Sequence, residues 1–550
     1  MSHHMRPTEA LFAAELRTGH PALVPQFTDA LPGARAAVLA RLWRALLFER
    51  GLAAALPAEV RTRLRGPALL PHDVGAAKDE LIVRLGDREY THPAALLAEL
   101  GLPGSAELTA ELDHSVASLA LSRAGAAHHR PPVPDTLVGR EQSVVDGHPY
   151  HPCCRSRPGF TVADQLAYAP EHRRPVELAL LPVPAAEALL VGDWPQWLRE
   201  GDRVLLPVHP WQLREVLPRL GSPGLAGGAT GGIAGRITAS ALMSVRTLAP
   251  EGGGPHLKTS LSLRMTSAVR DISGESVVNS APLSALLEEL ADRLGGALVV
   301  TRNLAAGAAL VSGVPSRDVA VLVRESPELH AGPGERVVPL AALAEHPPQL
   351  ADPVGWLRSL AALAWPPLLR LLAWGVALEA HGQNLLVVLD RLHRPLRLVY
   401  RDLADVRVSR ERLAACGVRP TALGGHVLDD DPVVLRRKLF GSVLGGTFGS
   451  LVSGLGRRDR LLEGLLWEAV AGEAEAAAEV LSPEDRRALL RDPLPVKALT
   501  RMRLAGGPPG DLWTLLPNPL ADGGRGGTAS TGPSDADGIR GVPTAGMGDW

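Results

Sequence analysis

Glu379, His381, Asn384 and, a little further on, Asp402 carry the side chains that a metal–phosphate centre needs. Carboxylates and an amide oxygen are hard ligands, suited to Mg²⁺ with bound phosphates rather than to zinc. Between them lie two apolar runs, NLLVVLD (384–390) and LRLVYRD (396–402), joined by RLHRP. Paired antiparallel, these runs bring Asn384 beside Arg401 and Asp402. Upstream, LLRLLAWGVALEA reads as a helix running into Glu379, with His381–Gly382 as the turn into the strand. Taken singly, Glu379 or Asp402 is an ordinary polar residue at an element end. Four of them converging make a site.

The hairpin alone also fits a small-molecule kinase, in which an Asn and a later Asp hold Mg²⁺. The catalytic Asp that should precede such an Asn is missing, and the stretch reads Glu-Ala-His-Gly-Gln. A third reading is a protein that binds a carboxylate–metal complex without turning it over. The intact cluster argues against that.

A second candidate hairpin supplies positive charge. SALMSVRTL (240–248) and LKTSLSLRMT (257–266) flank the turn-forming APEGGGPH. Strict alternation predicts Ser244 and Arg246 on one face of the first strand. On the second it predicts Lys258, Ser260, Ser262, Arg264 and Thr266 on one face, with Arg270 just beyond. Such a face suits a triphosphate or a carboxylate, although a solvated sheet face has the same pattern.

In DGHPYHPCCRSRPGF (146–160) the two His-Pro pairs exclude a regular helix, so His148 and His151 belong to a loop that continues to Arg155 and Arg157. A His–His–Cys–Cys metal site matches no common zinc spacing, and the adjacent Cys153–Cys154 chelate poorly. Anion binding by His148, Arg155 and Arg157 is the better reading. The glycine-rich 221–236 lacks a P-loop ending and reads equally as a lid or a linker.

The elements that must position these residues follow from texture. Helical spacing dominates from residue 8 to about 130, short β-like runs follow to about 330, and helices return from about 350. From 521 to 550 large apolar residues almost vanish, which predicts a disordered tail. At 550 residues the chain exceeds a single core. A net charge of −2 carries no nucleic-acid footprint. Three cysteines exclude a disulfide framework and suit a reducing cytoplasm. Trp356–Leu378, the most apolar region, is interrupted by Arg358, Arg370 and Pro366–Pro367, which predicts a soluble protein with no membrane partner.

The motifs, in order, resemble those of the siderophore synthetases that act independently of nonribosomal peptide synthetases, the aerobactin synthetase-like IucA/IucC family. DGHPYHPCCRSRPGF, LAYAPE (166–171), PVHPWQ (207–212), SVRT (244–247), KTSLSLRMTSAVRDIS (258–273), RES (324–326), EAHGQNLL (379–386) and RD (401–402) all fall in family order. KLFGSVLGGTFGSLV (438–452) and PLPVKALTRMRL (493–504) extend the likeness to about residue 520.

The resemblance implies an α+β fold shaped as a cupped hand. A helical thumb (1–145) is expected first, then fingers with an antiparallel sheet (146–350), then a mostly helical palm (351–520). It implies adenylation of citrate or a related carboxylate, release of pyrophosphate, and displacement of AMP by an amine, hydroxylamine or alcohol. The cofactors implied are ATP and Mg²⁺. Ser244, Arg246, Thr247 and Lys258 would hold the phosphates, and Glu379, Asn384 and Asp402 the metal. Arg270 would stand between triphosphate and carboxylate, with Thr266 and His381 on the carboxylate side. Lys258, Arg270 and His381 are the expected catalytic groups. The partners implied are small-molecule carboxylates and amines, and family members are often homodimers. Arg155 stands where the family usually has Lys, Asp146 where Glu is common, and NSAP (279–282) where Asn-Gly-Pro is usual.

Overall fold

The computed structural model describes residues 5–521 apart from 74–80, 129–133, 221–231, 267, 420–421, 458 and 506–509. Most of the glycine-rich 221–236 stretch, and the tail beyond residue 521, lie outside the described residues.

The N-terminal part is built on long helices, Pro7–Gly19, Val24–Phe48 and Ser105–His128. They share one apolar core, including Phe12, Phe27, Leu39, Trp43 and Leu112. Three short strands (Leu64–Arg65, Val83–Leu85, Arg88–Tyr90) form a small sheet beside them. Glu9 and Arg35 pair inside this core, with Arg35 Nη2 2.5 Å from Glu9 Oε2.

The middle of the chain folds into an antiparallel sheet of nine strands. In spatial order these are 188–192, 303–311, 314–324, 256–259, 247–250, 235–241, 175–184, 203–208 and 199–200. One face carries Val176, Leu178, Leu257, Val321 and Val323, and on the other Ala306, Ala308, Ala320 and Leu322 of the central strands pack with Val277, so the middle of the sheet is covered on both sides. The expected hairpin exists in its inner part, with Leu257 opposite Leu248 and Lys258 opposite Thr247. Its outer parts depart from strict alternation. The chain turns at 242–246, so Ser244 and Arg246 sit on a turn rather than on a strand face. Beyond Thr259 it leaves the large sheet, and Leu261–Met265 pairs instead with Ala268–Arg270. Arg264 therefore does not share a face with Lys258. It points to the N-terminal helices, its Nη1 3.4 Å from Glu107.

The C-terminal part combines helices with a four-stranded sheet ordered 298–300, 395–400, 385–389, 336–339. The expected hairpin is present, with Leu385 opposite Tyr400. All of Leu385–Leu389 is buried because both faces are covered. Leu385, Val387 and Leu389 join the helical core, while Leu386 and Val388 meet Leu137, Val337 and Val399. At about 1.5–3 kcal/mol for each large side chain removed from water, this strand is held firmly.

The helix Pro353–Trp374 continues through Pro366–Pro367, where packing against Arg460–Ala477 offsets the lost hydrogen bonds. It stops short of Glu379, however. Gly375, at φ 101°, caps it in a conformation that L side chains rarely adopt, and a two-residue strand, Val376–Ala377, follows. The run Pro432–Gly456 is long and apolar enough to cross a bilayer by length and composition, and 67% of its most apolar window is buried inside the molecule.

Candidate active site

The two hairpins meet at one ion pair. Lys258 Nζ, at the end of a side chain 4% exposed, donates to Asp402 Oδ1 at 2.5 Å. The strand Pro395–Tyr400 delivers Asp402, whose backbone takes φ 71° before the turn Leu403–Asp405.

Tyr400, fully buried, ties the acidic residues together. The Glu379 N–H donates to its hydroxyl (3.2 Å), which donates to the Asp402 carbonyl (3.4 Å). The Arg401 N–H donates to the Asn384 carbonyl at 3.0 Å. Asn384 Nδ2 lies 3.3 Å from the Glu379 carbonyl and 3.4 Å from His381 Nε2. Glu379, His381, Asn384 and Asp402 thus converge as the hairpin requires. The π-helical turn Gly441–Phe448 closes on His381 from behind, and a methyl group at Gly446 would stand 3.1 Å from the His381 Cβ.

Each carboxylate is answered by lysine. Glu379 Oε1 accepts from Lys497 Nζ at 3.1 Å and from Lys438 Nζ at 3.3 Å. Burial alone would raise both acids, but Lys497 and Lys438 hold Glu379, and Lys258 and Arg324 hold Asp402, well below the usual carboxylate range. Burial lowers Lys258 to about 8 despite Asp402. His381 is lowered first by burial, against the pull of Glu379.

Arg246 reaches across from its turn and donates to the Arg270 and Asp271 carbonyls (2.7 and 2.6 Å). Arg270 in turn donates to Thr266 Oγ1 at 2.6 Å. Thr266 itself sits at φ 55°, so this short loop is shaped to present both. Thr247 is buried opposite Lys258, and the Ser244 carbonyl accepts from the Thr247 N–H.

His148 is exposed, and its Nδ1 accepts from the Tyr150 and His151 N–H groups at 3.2 and 3.0 Å. The substrate role expected for Arg155 and Arg157 has no geometric support. Both are buried: Arg155 donates to the Val144 and Val145 carbonyls (2.5 and 2.6 Å), and Arg157 to Glu171 (2.9 and 3.2 Å). These guanidinium groups fasten the loop to the interior.

Sequence reasoning missed three residues. Arg324 ends its strand 3% exposed and acts on Asp402; it belongs to RES (324–326), noticed as a motif but given no role. Lys438 and Lys497 lie in the two C-terminal stretches that carried the family likeness, far along the chain from Glu379. Among the described residues, Nε of Arg246 and Nε of Arg324 are buried without a hydrogen-bond partner, so both have donors to spare for an anion.

A different group, His72, Asp73 and Glu463, has ligand-capable atoms within 4.8 Å of one another. Arg460 already neutralises it, with both amino groups on Asp73 at 2.9 Å and one on Glu463 at 2.6 Å.

Residues 136–345 match the IucA / IucC family, and residues 355–510 match the family described as ferric iron reductase FhuF-like transporter. The rhizobactin siderophore biosynthesis protein RhbC of Rhizobium meliloti is 27% identical over 428 residues, 67% of this chain and 72% of that protein. Over residues 136–345 the chain is similar to the IucA / IucC family.

The L-2,3-diaminopropanoate–citrate ligase of Staphylococcus aureus is 24% identical over 400 residues, 62% of this chain and 66% of its own. The ATP-bound aerobactin synthetase IucA of Klebsiella pneumoniae has the same fold at 19% identity, with a TM-score of 0.66 over 84% of this chain and 92% of that one. The chain is a mixed α/β protein with a curled antiparallel sheet.

Proposed function

We propose that this chain is an ATP-dependent ligase that joins a di- or tricarboxylate, citrate or a derivative, to an amine in siderophore-type biosynthesis. The observation that carries this reading is the Lys258–Asp402 contact. It puts a cluster of phosphate-type cations against a cluster of hard oxygen ligands. The likeness to a citrate ligase and to an ATP-bound synthetase supports it.

In the first step a substrate carboxylate oxygen attacks the α-phosphorus of ATP. The bond from that phosphorus to the bridging oxygen breaks, and pyrophosphate leaves. Two anions must approach each other, so cations have to suppress their repulsion. Arg246, Lys258 and Arg324 serve the phosphates, with Ser244 on the turn of Arg246 and Thr247 at the start of the strand that follows. Arg270 stands between phosphate and carboxylate, held by Thr266. In the second step the amine nitrogen attacks the acyl carbon, AMP leaves, and the nitrogen loses a proton. His381, whose burial favours the neutral imidazole, is the group that accepts that proton in this reading.

Glu379, Asn384 and Asp402 suit a divalent cation, because they are hard donors whose charge lysines now balance. Bound there, Mg²⁺ supplies Lewis-acid neutralisation of phosphate charge. Lys258 would then be free to turn from Asp402 toward phosphate.

Incubation with ATP, Mg²⁺, citrate and hydroxylamine tests the reading. AMP, pyrophosphate and a hydroxamate are expected. ADP would favour the kinase reading instead.

A further inference from the structure

Glu141 takes no part in the chemistry above, yet its carboxylate joins the two sides of the site. It lies on the short helix Leu137–Gln142 and is fully buried, with both oxygens engaged. Oε2 accepts from the Met243 N–H at 3.0 Å, on the turn that carries Ser244 and Arg246. Oε1 accepts from Nη1 of Arg401, the residue before Asp402. Arg401 carries the hold onward, because its Nε donates to the Gln383 carbonyl and its N–H to the Asn384 carbonyl, each at 3.0 Å. Gln142, the next residue, fixes the chain just ahead of the same turn by donating to the Ala241 carbonyl at 3.1 Å.

A buried carboxylate beside a guanidinium is often no more than a satisfied ion pair, and Glu9 with Arg35 is one of that kind. Glu141 differs in where its second oxygen goes. A carboxylate only accepts, so each oxygen can serve a separate partner. Here the partners are the phosphate turn and the metal-binding end of the other hairpin. Lys258 and Asp402 join the same two sides, but through groups that serve phosphate and metal themselves.

We propose that Glu141 is a positioning residue for the metal–nucleotide complex, setting the span between the turn 242–246 and the Asn384–Asp402 end of the 385–400 hairpin. This rests on the ligase reading only for its use of ATP with a divalent cation. ATP alone engages the cationic turn, whereas ATP with the cation engages the turn and the acidic end together. A changed span therefore weakens the second complex and spares the first.

The test titrates ATP by calorimetry, in EDTA and in Mg²⁺, into the native protein, Glu141→Asp, Glu141→Gln and the reference Glu9→Gln, with a thermal melt of each. Mg²⁺ is expected to tighten ATP binding to the native protein. Asp keeps the charge beside Arg401 but is too short for both partners, and Gln keeps the length but has a single acceptor oxygen. Each should cut the gain from Mg²⁺ about tenfold, the scale of ligands displaced by less than an ångström, and leave binding in EDTA within about twofold. Glu9→Gln should melt earlier with the gain intact. A gain that survives in both Glu141 variants, an equal loss with and without Mg²⁺, or no gain in the native protein would overturn the proposal. So would failure of both variants to fold, which would make Glu141 a requirement of the fold alone. Exchange of labelled pyrophosphate into ATP is run alongside. Its absence with citrate, succinate and 2-oxoglutarate, with the gain from Mg²⁺ present, would contradict the ligase and leave the role of Glu141 standing.

Discussion

The two hairpins that build this site differ in how they hold their functional side chains. The 385–400 hairpin is buried on both faces along Leu385–Leu389, keeps one register from Leu385–Tyr400 to Val388–Arg397, and carries its ligands at its ends. The 247–259 hairpin is short, and the chain leaves it on both sides. Of its functional groups, Arg246 and Thr266 sit on turns and Arg270 ends a short strand, and hydrogen bonds join the three. The acidic side of the site is placed by a core, and the cationic side by a polar network. Mutations should therefore act differently on the two.

The largest expected effect is on the cationic side. Arg270→Ala removes the group between the two anions and should lower adenylation about a thousandfold, in line with loss of a transition-state donor. Unfolding temperature should change little, because the residue ends the short strand Ala268–Arg270, outside the apolar cores. Pyrophosphate exchange and a thermal melt check both parts.

Next comes Tyr400→Phe. It deletes the hydroxyl that joins the backbones of Glu379 and Asp402 inside the core. Leaving a buried N–H unpaired should cost about 1–3 kcal/mol of stability. Activity should fall in proportion to misplaced ligands, read as a raised Mg²⁺ requirement. A loss of activity with no loss of stability would erase the distinction between the two sides.

An internal reference outside both hairpins is Glu9, buried against Arg35 and His92. Burial would raise it, but these partners and the Arg6 N–H bring it down to about 2. A depressed carboxylate stabilises the fold above its unfolded pKa, and that contribution is lost as pH falls through the folded value. Glu9→Gln should thus cost about 2–3 kcal/mol at neutral pH, with the gap to the native protein closing between about pH 4.5 and 2. Denaturant melts across that range measure it.

The smallest effect expected is Gly446→Ala, which crowds His381 from 3.1 Å. A shift of a few tenths of an ångström should lower kcat by about tenfold or less, with substrate affinity kept.

How much of this was legible in the sequence follows the same division. The 385–400 hairpin was, because an uninterrupted apolar run closed by polar residues has few alternatives. The cationic side was legible in composition but not in geometry. Alternation assumes a continuous strand, and neither the turn at 242–246 nor the departure after Thr259 leaves a period-two signature. The end of the helix at Gly375 was written in the glycine but overridden by the apolar run around it. Arg155 and Arg157 were misread because a buried ion pair with Glu171 and an exposed anion site use the same residues. Lys438 and Lys497 could not be tied to Glu379 by spacing at all, since tertiary folding alone brings them there.

The central claim is that a substrate carboxylate attacks the α-phosphorus of ATP. Citrate carrying heavy oxygen in its carboxylates, incubated with ATP, Mg²⁺ and hydroxylamine, tests it directly, with the products read by mass spectrometry. The account predicts one heavy oxygen in AMP and none in inorganic phosphate. Heavy oxygen in phosphate, with ADP as the nucleotide, would contradict it.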